Sequence, residues 1–103
     1  MKMEEFDQLV DLVQERCRNI LAEKAKHYAG KEDRLEQFVR AGVFAGVSSA
    51  EALFGMMSKH LVSIAMMMET PWEHTKKQWD EKITDSINYL ILLEAVLTDM
   101  GIE

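Results

Sequence analysis

An all-α fold is what this sequence predicts, and three observations carry the prediction. Apolar residues recur three and four apart through long stretches. No segment sustains the period-two alternation with β-branched residues that makes strands. Residues suited to capping helix ends, and glycines suited to ending them, punctuate those stretches.

The first helix is expected from about Glu4 to Tyr28, where Phe6, Leu9, Val10, Val13, Cys17, Ile20 and Leu21 share one face. Gly30 is its natural stop, since glycine accepts the left-handed conformation that ends helices. A short second helix over about 34–44 turns Leu35, Phe38 and Val39 inward, with Asp33 as a candidate N-cap and Gly42 and Gly46 closing or bending it. The third begins at SSAE, where Ser48 and Glu51 have the spacing of a capping box, and runs to about Glu69. TPWE then reads as a further cap, with Thr70 at N-cap, Pro71 at N1 and Glu73 at N3. The last helix runs on to Met100, with a possible break near His74, and Gly101 ends it.

That last helix predicts an apolar seam of Trp79, Ile83, Ser86, Leu90, Leu93, Leu97 and Met100, with Glu81, Asp85, Asn88 and Leu92 on the other side. From Tyr89 to Leu97 it is apolar nearly all round, Glu94 excepted. A helix of that kind is buried on every side. In a single domain spanning residues 1–103, part of that burial is expected to come from a second subunit. The expected architecture is a four-helix arrangement completed by homo-oligomerisation.

Composition narrows the function. A net charge of −6 argues against binding extended nucleic acid, which needs a basic surface. The single cysteine, Cys17, excludes an internal disulfide and fits a reducing cytoplasm. The first ten residues lack the apolar region of a secretion signal, and no apolar run approaches the roughly 18 residues of a membrane span. A soluble cytoplasmic protein without a membrane partner is the expectation.

Three clusters carry candidate chemistry. Glu81 and Asp85, four apart on one helical face with Asn88 beyond, can hold magnesium, and can equally be a solvated face. Lys59 and His60 interrupt the apolar run MMSKHLVSIAMMM and must reach the surface or find partners; Lys59 can meet Asp85, Glu81 or a phosphate. Lys24, Lys26, His27, Lys31 and Arg34 surround Tyr28, a ring that can stack a base while the cations hold its phosphates. The same cations also suit a helix C-terminus. Zinc spacings, a Gly-rich phosphate loop and a serine triad are absent.

The stretches KAKHYAGKEDRLEQFVRAGVFAGVSSAEALFGMMSKHLVSIAMM and WDEKITDSINYLILLEAVL resemble small proteins of bacteriophages that infect Gram-positive hosts. Those proteins are similar to the nucleotide-modification-associated domain and, more remotely, to all-α MazG/dUTPase-like pyrophosphohydrolases. The resemblance covers about residues 16–98. The remote one implies magnesium held by an EExxE and an ExxD helix, and cleavage of nucleoside triphosphates between the α and β phosphates. Asp85 matches the aspartate of the second pattern, but Lys82 replaces its glutamate, with Glu81 adjacent, and the first pattern is missing.

The function expected is therefore a phage nucleotide-binding protein. It would sequester a host nucleotide signal, cyclic ones included, without catalysis or cofactor, through Lys59, His60, Asp85, Asn88, Tyr89, Tyr28 and Lys31. Two alternatives remain open: a magnesium-dependent pyrophosphohydrolase using Glu81 and Asp85, and a helical module that binds only other proteins.

Overall fold

A computed structural model describes residues 1–27 and 33–102. Among them are four α-helices and no strand: α1 (Met3–His27), α2 (Glu36–Ala45), α3 (Ser49–Met67) and α4 (Lys76–Asp99), with a 3-10 turn at Pro71–Glu73. The all-α expectation holds. Tyr28, Gly30 and Lys31 lie outside the described residues.

The caps explain where the helices begin. Asp33 sits two residues earlier than a direct cap of α2; its Oδ1 accepts the Leu35 N–H at 2.8 Å and turns the chain into the helix. Ser48 Oγ accepts the Glu51 N–H at 3.1 Å, and the Glu51 carboxylate takes the Ser48 hydroxyl at 3.2 Å. Thr70 makes no such bond, so TPWE forms only the 3-10 turn. His74 is extended, and the reciprocal box lies at Thr75 and Gln78 instead. There Gln78 N–H donates to Thr75 Oγ1 at 3.1 Å and Thr75 N–H to Gln78 Oε1 at 2.8 Å.

Two glycines set the corner between α2 and α3. Gly46 closes α2 at φ +71°, and its neighbour Val47 donates to the Gly42 carbonyl at 2.9 Å. Gly42 itself is buried in α2, where an added Cβ would stand 2.7 Å from the Val47 carbonyl oxygen. The two helices meet at 94° as a result.

The core lies where α2, α3 and α4 converge. Phe38, Leu53 and Val96 form it, flanked by Leu35, Met56, Tyr89, Leu92 and Leu93. Leu53 is wholly buried, a contribution of about 1.5–3 kcal/mol. Val39, expected inward, is half exposed, at a shallow pocket that it lines with Val96 and Met100 at the end of α4 without being covered by them.

The first helix packs chiefly on α4. The radius of gyration is 15.7 Å, against about 13 Å for a compact chain of this length. Phe6, on the apolar face expected for the first helix, is exposed.

The seam predicted for α4 divides. Ile83, Leu90 and Met100 are exposed, Ser86 is buried and Leu93 packs on the core, while Thr84, Asn88 and Val96, outside the seam, are buried as well. Both faces of this helix are apolar enough to pack, so periodicity alone could not choose between them. Among the described residues, no single helix is long and apolar enough to cross a membrane.

Candidate functional site

The polar side of α4 is where α1 and α3 approach it. Helical spacing carries Asp80, Thr84 and Asn88 along one stripe, with Asp85 beside it. At the first of these positions the contacts are close. Arg16 Nε donates to the Thr84 hydroxyl at 2.7 Å, and its Nη1 lies 3.6 Å from Asp80, which Lys76 also pairs from the preceding turn. Thr84 is only 2% exposed, so its hydroxyl depends on that donor.

Further along, the contacts loosen. Asp85 faces Lys24 Nζ on one side and His60 Nδ1 on the other, both at 3.9 Å. The His60 ring lies 5.0 Å from that of Tyr89, tilted by 39°. At such separations Lys24 and Asp85 attract through their charges, but neither pair forms a hydrogen bond. The Nδ1 atom of His60 is buried without a hydrogen-bond partner.

Asn88, one turn on from Thr84, is 5% exposed. Its Nδ2 donates to the Cys17 carbonyl at 3.2 Å and so ties α4 to α1, while its Oδ1 is buried without a partner. Burial pushes the Cys17 thiol above its ordinary 9.0, with the Arg16 guanidinium pulling the other way. A raised pKa keeps the thiol protonated and makes it a poor nucleophile.

Lys24, Arg34, Gln37, Asp85, Asn88 and Tyr89 wall a cavity of about 70 Å³. On the far side of Leu21 and Arg34 an open groove of about 1200 Å³ runs along α1 and α4. The small cavity suits a phosphate-sized group, well below the roughly 300 Å³ at which pockets for whole ligands begin.

The residues singled out in the sequence divide accordingly. His60, Asp85, Asn88 and Tyr89 come together. Lys59 does not join them: it is exposed, because a helix turns successive residues by about 100° and His60 takes the inward direction. Lys24, from the basic cluster at the end of α1, stands where Lys59 was expected. Glu81 is exposed. Among the described residues, no three His, Cys, Asp or Glu side chains gather to hold a metal ion.

Arg16 and Thr84 went unnoticed in the sequence. An arginine on a mixed face and a threonine in an amphipathic helix carry no signal until the two helices meet. The chain matches no family model, and neither a curated protein nor a solved structure is significantly similar to it.

Proposed function

We propose that this protein binds a small nucleotide in the cleft between α1, the start of α2 and α4, and holds it without cleaving it. In this reading Lys24 and Arg34 neutralise a phosphate seated in the small cavity. Asn88 accepts a hydrogen bond from a base or sugar, and Tyr89 offers a ring beside it. A bacteriophage protein of this kind would remove a host nucleotide signal from solution.

The observation that supports the reading most strongly is the Asn88 carboxamide. A buried acceptor without a donor costs about 1–3 kcal/mol. Asn88 Oδ1 is such an acceptor, in the wall of a cavity that Lys24 and Arg34 also line. A ligand with an N–H or O–H next to a negative charge satisfies both features together, and nucleotides are built that way. The loose contacts around Asp85 agree with this, since Lys24 can move to a phosphate while giving up little. Its side chain is 54% exposed.

Calorimetric titration with mononucleotides, dinucleotides and cyclic nucleotides, each with and without magnesium, tests the proposal when the ligand is afterwards recovered by chromatography. Binding with the nucleotide recovered intact is expected, weakened about tenfold in Lys24→Ala, the loss of one charge-assisted contact. Recovery of a monophosphate and pyrophosphate only with magnesium would replace sequestration by hydrolysis. Silence across the panel would end the nucleotide reading.

A further inference from the structure

A carboxylate stands in the cavity proposed for a phosphate: Asp85 lines it together with Lys24 and Arg34. An anion so placed repels a phosphate, and more strongly where little water separates the two. The repulsion is offset if Asp85 meets donor groups of the same ligand. Its oxygens are open to them. Oδ1 and Oδ2 stand 3.9 Å from Lys24 and His60, and among the described residues neither accepts a hydrogen bond. Asn88 follows three positions later and Tyr89 four, which places all three on one face of α4. The Asn88 side chain belongs to a residue only 5% exposed, lines the same cavity, and has an Oδ1 without a donor. Three acceptor oxygens thus stand together beside an aromatic ring.

We infer that this wall reads guanine, an inference that rests on the nucleotide reading above and names the base. Guanine alone among the common bases carries two adjacent donor groups on one edge, the ring N1–H and the exocyclic N2 amino group. A carboxylate accepts one hydrogen from each in parallel, as it does from a guanidinium fork. The second amino hydrogen is left for Asn88 Oδ1. Gln37 also lines the cavity, and its carboxamide can donate to guanine O6. Adenine and cytosine set a bare ring nitrogen beside their amino group, and uracil has one N–H between two carbonyls. Each of them turns an acceptor toward the Asp85 carboxylate.

The placement follows from exposure. The Lys24 side chain is 54% exposed and that of Asp85 29%, so the phosphate lies at the mouth and the base edge points inward. A cavity of about 70 Å³ admits that edge, and the rest of the ring extends outward beside Tyr89. Binding then exchanges partners: Lys24 leaves Asp85 for the phosphate, and the guanine edge takes its place on the carboxylate. Asp85 is never left half-buried without a partner, the arrangement that costs most.

Calorimetric titration of the full chain with guanosine, inosine, xanthosine and adenosine, each as the 5′-monophosphate and the 3′,5′-cyclic monophosphate, tests the assignment. Guanosine should bind tightest. Inosine lacks the N2 amino group and should bind about tenfold more weakly, and adenosine about a hundredfold. In Asp85→Asn the carboxamide accepts from N1–H and donates to a 2-carbonyl, so xanthosine should overtake guanosine by about tenfold. That gain, with an unchanged circular dichroism spectrum, separates a change of recognition from a loss of fold. Equal binding of guanosine and adenosine would overturn the guanine assignment and leave nucleotide binding standing. So would an Asp85→Asn variant that still prefers guanosine, or a binding loss confined to 2′,3′-dideoxyguanosine monophosphate, which would put the ribose hydroxyls on Asp85. Silence from all four bases in both forms would overturn it too, and the dinucleotides of the wider panel then decide the nucleotide reading separately.

Discussion

The contact between α1 and α4 is tight at one end and loose at the other. Around Arg16 a charged donor meets a buried hydroxyl at 2.7 Å and a carboxylate at 3.6 Å. Around Asp85 two cationic or potentially cationic side chains stop at 3.9 Å, and the nearby Asn88 keeps one polar atom unsatisfied. At both ends an aspartate of α4 faces a cationic side chain of α1. What differs is whether each polar group has its partner within the chain. The Arg16 end is complete and holds the structure. The Asp85 end has unmet hydrogen-bonding capacity, and that is where the proposed nucleotide would gain most by binding.

The largest expected break in this comparison is Arg16→Ala. It leaves the Thr84 hydroxyl buried without a donor and should cost about 1.5–3 kcal/mol, the range for a hydrogen bond to a charged group, read from urea unfolding. A loss no greater than that of a surface variant would mean the two ends are alike after all.

Alkaline unfolding gives an intermediate effect. The folded-state pKa of Cys17 lies above its ordinary 9.0, so the unfolded chain loses the thiol proton first as pH rises. The contribution of Cys17 is complete below pH 9.0 and is lost as pH climbs through the higher folded value. Stability should fall across that window more steeply in the wild type than in Cys17→Ala, compared by urea titration at pH 8 and pH 10. Parallel slopes would show that the Asn88–Cys17 junction is open to water.

The smallest effect is expected at Lys24→Ala, within about 0.5 kcal/mol of the wild type, because a long and half-exposed ion pair contributes little. Its consequence should appear in ligand affinity instead. If Lys24→Ala and Arg16→Ala destabilised the fold equally, the contrast between the two ends would fail.

Much of this was legible in the chain itself. The four helices follow from apolar spacing, and Ser48, Gly46 and Gly101 end or begin them for local reasons: a side-chain oxygen near an N–H, or a glycine able to take positive φ. Local chemistry also misled where two signals competed. Thr70-Pro71-Trp72-Glu73 and Thr75-Lys76-Lys77-Gln78 both have the spacing of a cap, and only the second received reciprocal bonds. At the site, the sequence nominated His60, Asp85, Asn88 and Tyr89, since polar groups inside apolar helices must find partners.

Which partners they find was a tertiary matter. Lys59 and His60 are neighbours in sequence, but a helix sends them in different directions, and the placement of α4 decided that His60 meets Asp85. Lys24 reaches Asp85 from 61 positions away in sequence, and Arg16 reaches Thr84 across 68, distances over which no periodicity carries information. The sequence determined by itself that α4 is apolar on more than one side. The tertiary structure decided which side faces the core, because helix packing selects among faces by shape and polar complementarity as well as by hydrophobicity.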